Sequence, residues 1–291
     1  MSKYLFLLVL SFLPTSTHAQ TQQLTITLPG GAPLQLIWID PGRFEMGALP
    51  PDPDDENPPP RALDQLPDHR AIINEGFWLG QFELTQAQWI SVMDTRPWQA
   101  LPSAQTDPNH PAVFISWDDA QHFVSRLNQA AGDSLYRLPT EAEWESACRA
   151  GSETRWSYGD RQTILVDYAW YERNAWDAEE RYAHLVGSRT PNPWGLHDMH
   201  GNAEEWVQDW YGAGYYEDAP ERDPQGPNRG VEHVLRGGSY ADRAEKTQSS
   251  YRNKARAGFV SGRFGMRILA RAALPTDVEQ QSWGKIKKEE R

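Results

Sequence analysis

At 291 residues the chain is long enough for one large or two small domains around a real hydrophobic core. Its formal charge of −12, interrupted by no Lys/Arg cluster, excludes nucleic-acid backbones as natural partners. A single cysteine excludes an intramolecular disulfide, while 13 tryptophans, 22 prolines and 22 glycines predict aromatic plates in a chain of many turns.

Met1 to Ala19 carries Lys3, an apolar run from Tyr4 to Leu13 and a Thr-His-Ala ending, the pattern of a secretory signal peptide cut after Ala19. The run is too short for a permanent membrane anchor, and no cysteine follows it to take a lipid. With Lys3 removed and no acid in residues 1–19, the charge goes from −12 to −13. The mature protein is therefore expected in the periplasm or secreted, with no stable membrane anchor.

Leu24 to Leu28 and Leu34 to Ile39 read as strands joined by Pro29-Gly30-Gly31, a hairpin. Pro50 to Pro67 is too rich in proline and acid for regular structure and reads as a surface loop, after which Phe77 to Phe82 is extended. Thr85 and Gln88 form a capping box for a short helix with Trp89, Ile90 and Met93 on one face. Pro111 to Ile115 predicts a buried strand. Ser116 then caps a helix in which Ala120, Phe123, Val124 and Leu127 share a face, ending at Gly132.

A second capping box, Thr140 with Glu143, opens a helix that turns Trp144, Ala147 and Cys148 inward and stops by Gly151. Cys148 is thus a core residue, with Arg149 pointing away from it. Gly151 to Asn192 is aromatic and turn-rich. Val234 to Tyr240 is a strand broken at Gly237 and Gly238, where the backbone turns sharply or approaches something closely. Tyr251 to Asn253 and Phe264 to Leu269 read as late core strands. Residues 272–291 form a polar tail expected to be disordered, leaving one domain over 20–271.

The most informative stretch is Asn192 to Trp206, NPWGLHDMHGNAEEW. A hard cation such as calcium takes several carboxylate and carbonyl oxygens at about 2.3–2.6 Å. Asp198, Glu205 and the carbonyls of Gly201 and Ala203 can supply such a set, with Gly201 giving the backbone its freedom. The spacing is not that of an EF-hand. On spacing alone, Asp198 and Asn202 also read as turn formers and Glu205 as a solvated helix carboxylate. His197 and His200, three apart, make at most a partial metal site.

Taken in order, Trp38 to Gly47, Phe82 to Thr85, His110 to Val113, Ser116-Trp117, Arg137 to Trp144, Asn192 to Trp206, Leu235 to Ser239 and Phe264 to Arg267 resemble the formylglycine-generating enzymes, or sulfatase-modifying factors. The resemblance implies a C-type-lectin-like α+β fold with low regular secondary structure. It also implies a structural calcium held by Asp198, Gly201, Ala203 and Glu205.

The family's oxidase chemistry uses copper on two cysteines that follow Arg-Gly-Gly-Ser. Here those positions are Asp242 and Thr247, and a cleft tryptophan is replaced by Glu204. Copper(I) favours thiolates, so copper is not expected and formylglycine formation by the known mechanism is excluded. Secreted members without the cysteine pair resemble regulatory or binding modules, such as a periplasmic activator of a type VI secretion kinase pathway. Glu204, Ser239, Asp242, Arg243 and Arg252 would then form a partner-binding cleft. The alternative is a periplasmic enzyme of altered chemistry, as in oxidative maturation of a pyoverdine-type siderophore chromophore, with Glu204 and Asp242 as proton-transfer candidates. A further reading is ligand binding on Trp170, Tyr171 and Trp176.

Overall fold

A computed structural model describes residues 22–48, 62–101 and 103–272. The leader, most of the Pro50–Pro67 loop and residues 273–291 of the tail lie outside the described residues. In chain order the elements are β1 (Gln23–Thr27), β2 (Pro33–Ile39), β3 (Gly42–Met46), β4 (His69–Ile73), β5 (Phe77–Gly80), α1 (Gln86–Met93) and α2 (Trp117–Ala131). They continue with β6 (Tyr136–Arg137), α3 (Glu141–Arg149), α4 (Leu165–Tyr168), β7 (Glu204–Trp210), β8 (His233–Arg236), β9 (Arg252–Ala255), β10 (Phe264–Met266) and β11 (Leu269–Arg271).

One sheet runs β1-β2-β5-β11-β6, so the last strand closes between the early hairpin and the middle of the chain. A second runs β10-β7-β8-β9, and β3 pairs with β4 separately. β10 lies parallel to β7, setting Phe264 beside Glu204 and Gly265 beside Glu205. This small, short-stranded α+β architecture is the C-type-lectin-like fold.

The helices start where the caps require. Thr85, Ser116 and Thr140 each accept the N–H three residues on while the side chain at that position reaches back, closing a reciprocal box. Each such cap contributes about 1 kcal/mol. α2 ends on Gly132 at φ 69°. Trp89, Trp98, Trp144, Trp156 and Trp206 are all buried, so these aromatic plates build the core.

Two expectations change. Pro111 to Ile115 is buried but is not a strand: Pro111 makes only a bridge to Thr85, and Phe114 turns to φ 56°. Proline has no N–H for a ladder, and a left-handed residue breaks the pleat. Glu205 is on no helix, because the loop from Asn192 runs directly into β7. The short strands β4 and β6 carry no alternation strong enough to mark them in the sequence.

Cys148 is buried, and burial pushes its thiol up to about 12. Its neighbour Arg149 also turns inward, pairing with Glu145 at 2.8 Å. Glu145 in turn meets Arg236 at 2.5 Å, and Glu141 holds Arg252. This ion-pair network ties α3 to β8 and β9.

Candidate functional site

β7 begins at Glu204, whose side chain is fully buried. Across the sheet, Asn253 Nδ2 donates to both Glu204 oxygens at 2.8 and 3.0 Å. Burial first, and then the charge of Asp242, pushes the Glu204 carboxyl up to about 8. At neutral pH it holds a proton, and so has a hydroxyl to donate.

Asp242 follows the turn made by Gly237 and Gly238, both at positive φ. Gly238 is forced: a Cβ there would lie 2.5 Å from the Lys246 carbonyl. Ser239 donates to Asp242 through its N–H at 3.1 Å and its hydroxyl at 2.5 Å. Lys246 at 3.2 Å and Arg263 at 3.5 Å neutralise the same carboxylate. At the surface Trp176, 38% exposed, stacks on the buried Tyr240 with ring centroids 6.4 Å apart.

Glu204, Ser239 and Asp242 lie together, all three buried. Arg243 is on the solvent side, touching Glu172 at 3.6 Å. Arg252 is not a cleft residue. Its guanidinium is buried on Glu141 at 2.7 and 2.8 Å and donates to the Asp64 carbonyl. The cause is strand alternation: neighbours on β9 face opposite ways, so Asn253 takes the cleft position. That alternation was the signal available in the sequence.

The donor set does not fit copper. Thr247 is buried, with its hydroxyl accepting from the Trp156 indole at 3.0 Å and donating to the Ala244 carbonyl at 2.9 Å. Neither it nor Asp242 is a thiolate, and the chain's one thiol is in the core.

The proposed calcium ligands lie on the loop before β7 and at the start of that strand. Asp198 adopts φ 58° and accepts the Gly187 N–H at 2.7 Å through Oδ2, while its buried Oδ1 has no partner. Gly201, at φ 109°, passes so close to the Trp170 carbonyl that a Cβ would lie 2.1 Å from it. Glu205 meets Arg267 through both oxygens at 2.6 Å and accepts the Trp144 indole at 2.7 Å. That leaves it about one free lone-pair direction of four.

Glu83 is buried beside them, accepting from Asn202 at 2.6 Å and from the Ala203 N–H at 2.7 Å. Three buried carboxylates thus face Arg267, and Arg189 also acts on Asp198. Burial raises Glu83 and pushes Asp198 up to about 6. The open, buried Oδ1 of Asp198 fits a cation. Among the described residues no three His, Cys, Asp or Glu side chains are grouped to hold a metal by themselves, so the Gly201 and Ala203 carbonyls would have to share the ligation.

The two histidines diverge. His197 bonds the Arg189 carbonyl at 2.8 Å. His200 is buried between the Thr247 carbonyl and Ser157, and burial pushes it down to about 4. The aromatic trio also disperses: Trp170 stacks on His184 at 3.7 Å under Arg189, Tyr171 is buried, and only Trp176 reaches the rim.

This fold and loop order belong to a known class. The chain is a member of the sulfatase-modifying factor family, matching the Sulfatase-modifying factor enzyme 1-like domain over residues 23–272. It is 37% identical over 169 residues to the formylglycine-generating enzyme of Streptomyces coelicolor, covering 52% of this chain and 50% of that one. It is 28% identical over 257 residues to the serine/threonine-protein kinase pkn1 of Chlamydia pneumoniae, covering 80% and 37%. The chain thus spans half or less of these two curated relatives.

Among solved structures, Treponema denticola variable protein 1 aligns with TM-score 0.74 and 25% identity, over 86% of this chain and 99% of that one. PvdO from Pseudomonas aeruginosa aligns with TM-score 0.72 and 22% identity, over 87% and 100%, a likeness of fold.

Proposed function

We propose that this protein is a periplasmic or secreted regulatory or binding module of the sulfatase-modifying factor family, acting on a protein partner in the manner of a type VI secretion kinase-pathway activator. The observation that carries the reading is what stands where the family keeps its cysteine pair. At the two positions expected to bear sulfur stand Asp242 and Thr247, each engaged in internal hydrogen bonds, and Glu204 fills the site beside them. What reaches solvent is a rim of Trp176, Arg243 and Arg263, side-chain types that anchor protein interfaces. Alignment with part of a chain named as a protein kinase supports the link to kinase regulation. Calcium at Asp198, Gly201, Ala203 and Glu205 would offset the buried negative charge and stabilise the loop, with no part in chemistry. Among the described residues no helix is long and apolar enough to cross a membrane.

A second reading has its own support. A buried Glu204 that keeps its proton to about pH 8, beside the neutralised Asp242, is an acid-base pair suited to an enzyme of altered chemistry, such as oxidative maturation of a pyoverdine-type chromophore. Affinity capture of the tagged protein from its own cells, with mass spectrometry of proteins and small molecules, separates the two. A stoichiometric protein partner supports the module. A retained small molecule with no protein partner supports the enzyme.

A further inference from the structure

The family cleft lies at the start of β7. At its other end, six residues or about 20 Å along the strand, a second cavity of about 880 Å³ opens beside Trp210. That volume is within the range of about 300–1,000 Å³ usual for small-molecule sites.

Its inner wall is a three-ring stack. His233 lies between Trp117 and Trp210, with ring centroids 3.7 Å from each. The His233 Nδ1–H donates to the Asp209 carbonyl at 3.2 Å, which leaves the lone pair on Nε2. His233 is 1% exposed, lines the cavity, and its Nε2 has no hydrogen-bond partner. A buried acceptor without a donor is uncommon in a folded protein and costs free energy until something supplies one.

The rest of the lining selects the donor. Arg137, the best anion receptor present, is closed off by Glu143, which takes its guanidinium at 2.6 and 2.7 Å. Carboxylates in the lining (Glu75, Glu143, Asp223) outnumber guanidiniums (Arg137, Arg271), so phosphates and acidic ligands are disfavoured. Gln208, Gln225 and Asn228 add side-chain amides, each able to donate and accept, as a hydroxyl does. Indole plates beside paired donor-acceptor groups match a molecule with apolar ring faces and a girdle of hydroxyls.

We propose that this cavity binds a neutral saccharide, with one sugar hydroxyl donating to His233 Nε2 beside the Trp117 and Trp210 rings. The site is separate from the Glu204 cleft and stands whether or not the regulatory reading does.

The test is titration of the full chain with chitotriose, maltotriose and cellotriose, read by tryptophan fluorescence and by the indole N–H signals of Trp117 and Trp210. His233→Phe keeps the ring stack but removes the acceptor. Saturable binding of at least one trisaccharide is expected, weakened about tenfold in that variant, as for loss of a buried hydrogen bond, and unchanged in Glu204→Gln. Should His233→Phe not fold, Gln225→Ala on the exposed rim is expected to weaken binding in the same direction. The proposal is overturned if no trisaccharide moves the two indole signals, if removing the acceptor or the rim amide leaves affinity intact, or if Glu204→Gln abolishes binding.

Discussion

Replacing Glu204 with Gln should make the protein more stable, and increasingly so as the pH rises. In the fold this carboxyl keeps its proton to about pH 8, against an ordinary value of 4.5. Below the lower value both folded and unfolded chains carry the proton, and the group contributes nothing to the pH dependence. Between the two values the unfolded chain releases the proton and the folded chain does not. Stability therefore falls as pH rises, by about 1.4 kcal/mol per pH unit. Integrated to pH 7.5, the cost is about 4 kcal/mol, an upper bound because relaxation around the buried charge lowers it. Gln keeps the shape of the neutral acid and still offers an oxygen to Asn253, so E204Q removes the cost. Thermal unfolding of both proteins from pH 5 to 8 measures it. The gap should be about 1 kcal/mol at pH 5 and grow to a difference on the order of 10 °C near pH 7.5. A gap that does not change with pH would falsify the claim that Glu204 is held neutral.

Arg252→Ala removes the closest partner of the buried Glu141 carboxylate and leaves it only the Arg236 guanidinium at 3.7 Å, so it should destabilise the fold by about 3 kcal/mol; denaturant unfolding measures it, and a loss under about 1 kcal/mol would return Arg252 to the cleft rim. Removing divalent cations with a chelator should lower the thermal midpoint, with recovery on adding calcium, because an ion bound only by the folded state stabilises it. An unchanged midpoint refutes the ion assigned to Asp198, Gly201, Ala203 and Glu205. Cys148, with its thiol pushed up to about 12, should resist maleimide at pH 7 until denaturant is added; rapid labelling of the native protein would show that it is accessible.

The capping boxes at Thr85 and Thr140 and the cap at Ser116 were legible because each is a local arrangement of a few residues. So was the β1–β2 hairpin, whose alternation and turn lie within one short segment. Pairings made over long distances were not: β11 inserts between β5 and β6, and β10 lies along β7, for reasons no local pattern carries. The same divide runs through the site. Glu204, Ser239 and Asp242 could be placed together because they flank motifs in family order. Arg252 and Asn253 are adjacent in sequence, and only strand alternation separates the structural arginine from the amide that holds Glu204. Glu205 showed a carboxylate in the right loop, but not that Arg267, far along the chain, occupies both its oxygens.

The central claim is that the cleft recognises a protein rather than oxidising a cysteine, and Arg263 tests it most directly, being a cation half in solvent at the mouth. Quantitative affinity capture should be run with the parent protein and with Arg263→Glu in parallel. The account predicts a stoichiometric protein partner with the parent and its loss with the variant, which circular dichroism should show still folded although the like charge beside Asp242 lowers its midpoint. No protein partner, or one held equally by both, together with formylglycine formed from a cysteine-containing peptide or a small molecule retained by the parent alone, would contradict it.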